Sequence, residues 1–345
     1  MNLLPFAFCL LASASWLLAF GPTWTPLTSG VSASLRGVSA ASDEVAWASG
    51  SGSTVLRTAD GGQTWTRQTV TADTVDFRDI DAINERTAYA LSIGNGPASR
   101  IYKTTDAGVT WTPQFLNTDQ AVFLDAMTFW DEQHGIVMGD SIDGKFFLLR
   151  TDNGGATWER IPPESLPPAL PNEGAFAASG TNVAVSGANV WIGTGAAAKA
   201  RVLRSNDRGR TWTVADTPII AAGSAGIFSI AFRDAQHGVI VGGDYRKEAE
   251  AVDNLAVTSD GGVTWTLVKE RGLSGFRSVV RYVPRTPRSL VAVGPQGADY
   301  STDDGLTWTP IEGTGFHTFG FSPSGQIGFG AGGRGSLGKL TMGAR

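Results

Sequence analysis

The chain has 345 residues, a formal charge of -5, 42% hydrophobic residues and a single cysteine. That length is ample for a buried core, and the mild acidity gives no electrostatic reason to expect nucleic acid or an anionic membrane as partner. The 44 glycines are too scattered for a collagen period, and the 11 tryptophans demand a structural explanation.

The N-terminus reads as a targeting segment. Leu3 to Phe20 is almost wholly apolar or small, and no charged side chain precedes Arg36. Residues 1–21 therefore read as a signal peptide cleaved near residues 19 to 23, or as an uncleaved anchor close to the lower length limit for a span. Cys9 lies inside this leader, so the processed chain has no thiol chemistry and no disulfide. An extracytoplasmic location, periplasmic or secreted, is the expectation.

Residues 22–345 are organised by a repeat. Six octets share one pattern: Thr58 to Trp65, Thr104 to Trp111, Thr151 to Trp158, Ser205 to Trp212, Thr258 to Trp265 and Ser301 to Trp308. Each has an Asp or Asn at its third position: Asp60, Asp106, Asn153, Asp207, Asp260 and Asp303. Each also has a fixed Gly at its fifth and a Thr-Trp end. Trp24 carries only the tail of the pattern, and from Trp24 the tryptophans that end the pattern are 41, 46, 47, 54, 53 and 43 residues apart.

That period suits four short strands and their turns. In the second repeat the strands are expected at Phe77–Asp81, Thr87–Ser92, Arg100–Thr104 and Thr110–Pro113, with Gly, Asn and Asp in the gaps. The expected fold is all-β: a seven-bladed β-propeller of four-stranded antiparallel blades. Residues 314–345 supply three strands of a last blade, and Trp24 to Leu27 supplies its fourth, closing the ring without a free edge.

The octet reads as scaffold. The Asp side chain can accept hydrogen bonds within its own turn, the Gly permits positive φ or close approach, and the Trp fills the seam between sheets and can still hydrogen-bond through its indole N–H. Asn153 shows that charge is dispensable there, which argues against metal binding or proton transfer. The octets resemble the Asp-box, or BNR, repeat, and the whole pattern is closest to the photosystem II stability/assembly factor-like family, within the sialidase-superfamily fold. The strand-start phrases Leu35-Arg36-Gly37-Val38, Phe77-Arg78-Asp79-Ile80, Phe123-Leu124-Asp125-Ala126 and Phe276-Arg277-Ser278-Val279 carry part of that resemblance. It implies an extracytoplasmic propeller that binds a protein partner, such as a membrane or envelope complex, without catalysis.

Sialidases require an early Arg-Ile-Pro segment, an arginine triad and a Tyr/Glu pair. Arg160-Ile161-Pro162 lies after the third octet, in a position where other repeats also place proline, and no Tyr/Glu pairing is recognisable. A glycoside hydrolase remains the alternative, with carbohydrate as ligand and Asp125, Asp140, Asp143, Glu173 and Asp244 as the pool of carboxylates.

Strand order puts the octets on one face and the longer, irregular loops on the other. The polar groups expected on that second, front face are Arg36, Arg78, Asp125, Asp140, Lys145 and Glu173, followed by Asp244, Tyr245, Arg246, Arg277 and His317. Arg36, Arg78 and Arg277 hold comparable strand starts and form the expected anion-recognition set. His134 and His237 read as turn residues of the opposite face. No zinc site, nucleotide motif or other cofactor is expected, and the chain reads as a monomer.

Overall fold

A computed structural model describes residues 21–343. The leader therefore lies outside the described residues, save Gly21. Seven four-stranded sheets form a ring. Blade 1 is built from Leu35–Ala40, Ala46–Gly50, Thr54–Thr58 and Thr66–Gln68, each antiparallel to the next. Blade 2 follows with Asp76–Ala82, Ala88–Ile93, Arg100–Thr104 and Thr112–Leu116, matching the expected strands to within a few residues. The first strands of blades 3 to 7 are Leu124–Phe129, Val183–Ser186, Ala225–Phe232, Val279–Tyr282 and Thr318–Phe321. Blade 7 takes its outer strand from the other end of the chain: Thr23–Thr28 pairs with Ser336–Thr341 over six residues.

Each seam between blades is one apolar cluster. The cluster between blades 1 and 2 holds Trp47, Phe77, Ile80 and Tyr102 with Trp111 packed against it. The cluster between blades 3 and 4 holds Ile136, Phe146, Leu148, Ile192 and Trp212. In every seam the octet tryptophan leans on the preceding blade, with Trp24 doing so between blades 6 and 7. Trp111 meets Trp47 edge to face at 5.8 Å, the arrangement aromatic quadrupoles favour. The indole N–H expectation holds only in part. Trp212 and Trp308 donate to the carbonyls of Gly209 and Gly305 in their own turns, both at 2.9 Å. The indole N–H groups of Trp65, Trp111, Trp158 and Trp265 have no partner among the described residues, and their rings meet aromatic neighbours edge to face.

The Asp turn itself is closed by its own side chains. Asp60 Oδ1 accepts from Thr64 N at 2.9 Å, and Asp60 Oδ2 accepts from the Thr64 hydroxyl at 2.6 Å. Asn153 reproduces both: its Oδ1 accepts from Thr157 N at 3.0 Å and its amide donates to the Thr157 hydroxyl at 2.9 Å. The fixed Gly is the point of contact with the preceding blade. Gly108 lies against Trp47, Gly155 against Tyr89, Gly262 against Trp191 and Gly305 against Val239, all at positive φ and all against a second strand. Tyr89 also donates to Gly154 O at 2.6 Å, and Trp191 donates to Gly261 O at 2.8 Å. The second strand of one blade thus latches the Asp turn of the next.

Two outcomes follow from these turns. Gly155 has φ +80°, and a Cβ there would sit 2.9 Å from Tyr89 Cε1. Gly155→Ala should lower unfolding stability by about 1–3 kcal/mol in a denaturant titration. The Asp60 and Asp106 carboxyls are held at about 2, below the usual carboxylate range, chiefly by the hydroxyls of Thr64 and Thr110. A depressed folded pKa gives stability that is present above the unfolded value and lost as pH falls through the folded one. The double variant Asp60→Asn/Asp106→Asn should therefore melt near wild type at neutral pH and lose less stability than wild type between about pH 4 and pH 2.

Candidate functional site

The first strands line the central channel, and four of them carry a β-bulge at the same point. The register skips at Arg36 in blade 1, Arg78 in blade 2, Asp125 in blade 3 and Phe228 in blade 5. A bulge inserts one unpaired residue and re-aims its side chain. Here it turns one residue per blade toward the front mouth of the channel. The bulges also correct the repeat alignment: the equivalent of Arg36 in blade 3 is Asp125, one residue later than the strand-start phrase suggests.

These residues converge on a front-face pocket of about 460 Å³. One side is cationic, with Arg36 and Arg78 beside His317. A second is aromatic, with Phe176 and Phe228 stacked at 4.0 Å and Phe276 and Tyr245 edge-on to Phe228. A third carries Asp125 and Asp140.

The floor of the pocket is a segment that the sequence did not announce. Residues 174–182, which lead into blade 4, cross the channel and bond to distant blades. Ala177 O accepts from Arg78 of blade 2 at 3.0 Å. Ser179 Oγ donates to Ser278 O of blade 6 at 2.9 Å, and the Ser179 carbonyl accepts from Thr318 of blade 7 at 3.3 Å. Thr181 bonds to Ser229 of blade 5 at 2.7 Å. Gly180 (φ +70°) presses on the Asp79 carboxyl so closely that a Cβ would lie 2.0 Å from its Oδ1. The plug separates the front pocket from a back cavity of about 260 Å³ lined by Asp79, Asp81 and Arg281. Burial pushes Asp79 up to about 8.

Arg36 is the least committed cation of the pocket. Its Nε donates to Ser34 at 3.3 Å, and no carboxylate lies within ion-pair distance among the described residues. Burial, and then the charge of Arg78, lower its pKa to about 10, which leaves it protonated at neutral pH. Arg78 is bound to Asp76 at 2.9 and 3.0 Å. His317 is pushed down to about 4 by burial and by Arg36, so it is neutral at physiological pH.

Of the eleven front-face residues expected from sequence, Arg36, Arg78, Asp125, Asp140, Tyr245 and His317 meet in the pocket. Arg277 does not. Its side chain is buried against Asp299, with Nε to Oδ2 at 2.7 Å, and it cannot join Arg36 and Arg78. Glu173 is likewise locked inside, bound by Arg201, the Thr194 hydroxyl and Leu170 N. Lys145 is exposed and does not line the pocket, and Asp244 caps the turn that carries Arg246, whose guanidinium lies 5.8 Å from the Tyr245 ring centre. The aromatic wall was missed: Phe176, Phe228 and Phe276 carry no polar group that would mark them as part of a site in the sequence. His134 and His237 sit in back-face turns, each with Nδ1 against the Asp three residues earlier.

No protein-family model matches the chain, and no curated protein does. Solved structures do. "YCF48 bound to D1 peptide" superposes with a TM-score of 0.65 at 19% identity, covering 92% of this chain and 97% of that one. YCF48 from Cyanidioschyzon merolae gives 0.64 at 17% identity, with 92% and 99% covered. The GH74 xyloglucanase from Xanthomonas campestris gives 0.62 at 17% identity, with 92% of this chain and 53% of that one covered. Across nearly its whole length, the chain shares the propeller fold of the YCF48 proteins.

Proposed function

We propose that this propeller is a non-enzymatic binding protein of the extracytoplasmic space, an assembly factor that captures an anionic segment of a protein partner in its front pocket. The observation that carries the reading is Arg36: a partly buried guanidinium that forms no ion pair with a described residue, beside a wall of aromatic rings. A desolvated, unpaired cation is unfavourable, and a ligand carboxylate would relieve it with charge-assisted hydrogen bonds. The aromatic wall adds contact area for an apolar neighbour of that carboxylate. A YCF48 propeller with a bound peptide supports a protein as the ligand class. The apolar stretch Leu3 to Phe20 supports export.

The carboxylates expected from the sequence favour binding over hydrolysis. Glycoside hydrolysis needs two carboxylates on opposite sides of the scissile bond. Asp125 and Asp140 sit side by side on neighbouring strands of one blade, Glu173 is bound by Arg201, Asp143 lies in a turn, and Asp244 ends a strand and caps the turn after it.

The test is a peptide array of envelope-protein segments probed with the labelled propeller. Arg36→Ala should weaken the retained peptides at least about tenfold, or about 1.4 kcal/mol, while the protein melts as wild type does. Unchanged retention would reject the pocket. Arg277→Ala should do the reverse: it strands Asp299 inside the fold and should lower stability by about 3–5 kcal/mol, read by denaturant unfolding.

A further inference from the structure

Four carboxylate residues are buried in the described chain: Asp79, Asp125, Glu173 and Asp299. Three have donors. Asp79 accepts from Met127 N, Glu173 from Arg201 and Thr194, and Asp299 from Arg277 and Ser274. Asp125 is the exception. It is 1% exposed, yet its Oδ2 has no hydrogen-bond partner. It lines the front pocket with Asp140, which the backbone bond from Asp140 N to Phe123 O holds alongside. Neither carboxyl forms an ion pair with a described residue. Arg78 is spent on Asp76 and Ala177.

We propose that the Asp125–Asp140 corner of the front pocket is a subsite for a primary ammonium, the lysine side chain of the bound segment, opposite the Arg36 subsite for its carboxylate. This rests on the protein-binding reading above and adds a sign and a polarity to the ligand. Chemistry selects the ammonium over a metal ion. No third acidic, His or Cys group among the described residues joins the pair, and a hard divalent cation takes about six or more oxygen ligands. Phe123, Phe176 and Phe228 flank the corner and suit an alkyl stem behind a charged head. The two carboxyls also destabilise each other when ionised. Burial and then Asp140 hold Asp125 well above the ordinary range, and burial lifts Asp140 to about 6. A bound ammonium offsets both effects.

The probes are n-butylammonium chloride and sodium butyrate, titrated separately into the isotope-labelled full chain and followed by amide NMR shifts. Butylammonium should move the Asp125, Asp140 and Ala175 amides. Butyrate should move Arg36 and its neighbours. Asp140→Asn should shift the ratio of the two affinities at least about tenfold against butylammonium. Absence of butylammonium shifts at Asp125 and Asp140 in the wild type, or an unchanged ratio in Asp140→Asn, would overturn the ammonium subsite. Silence toward butyrate, with the ammonium response intact, would uphold this subsite and reject the Arg36 reading alone.

Discussion

The ring depends on a contact between a turn and a strand. In blades 1, 2, 3, 5 and 6 the fixed Gly of the Asp turn presses on the second strand or the outer strand of the preceding blade, where any Cβ would collide or nearly so, and in blade 4 Gly209 makes a looser contact with Ile136. The turn's own Asp or Asn and Thr side chains hold it rigid enough for that contact to be specific. Carbonyls of the turn then accept from Tyr89 and Trp191 across the seam. A four-stranded sheet has two faces to bury and no partner of its own, so each blade is stable only against its neighbours. Repeating one close contact fixes the angle between blades and thereby the ring.

A rigid ring leaves the front face free to vary. The bulges in the inner strands convert a repeated scaffold into four different side chains at one radius: Arg36, Arg78, Asp125 and Phe228. The channel is stopped by the segment before blade 4, whose backbone carbonyls bond to blades 2 and 7 and whose Ser179 and Thr181 hydroxyls bond to blades 6 and 5. That plug turns an open channel into a floored pocket, and it supplies Phe176 to the aromatic wall. Two other charged residues expected on this face are neutralised inside the fold, Glu173 by Arg201 and Arg277 by Asp299.

The sequence by itself determined the blade count, the strand order and the closure through Trp24, because periodic tryptophans and Asp-Gly turns are local signals that repeat. It also separated the front face from the back, since strand alternation assigns each connection to a side. The pocket was legible in part. Arg36, Arg78, Asp125, Asp140, Tyr245 and His317 follow from their place at strand starts and in front loops. What only the tertiary structure decided is which of several equivalent arginines faces solvent. Arg277 has the same local context as Arg36 and Arg78, yet Asp299, 22 residues away, takes it inward. The course of residues 174–182 through the axis was equally hidden, because its hydrogen bonds join residues up to 139 positions apart. Local pattern encodes what a residue's neighbours in sequence dictate; ion pairing and channel filling are set by partners that meet only once the ring has closed.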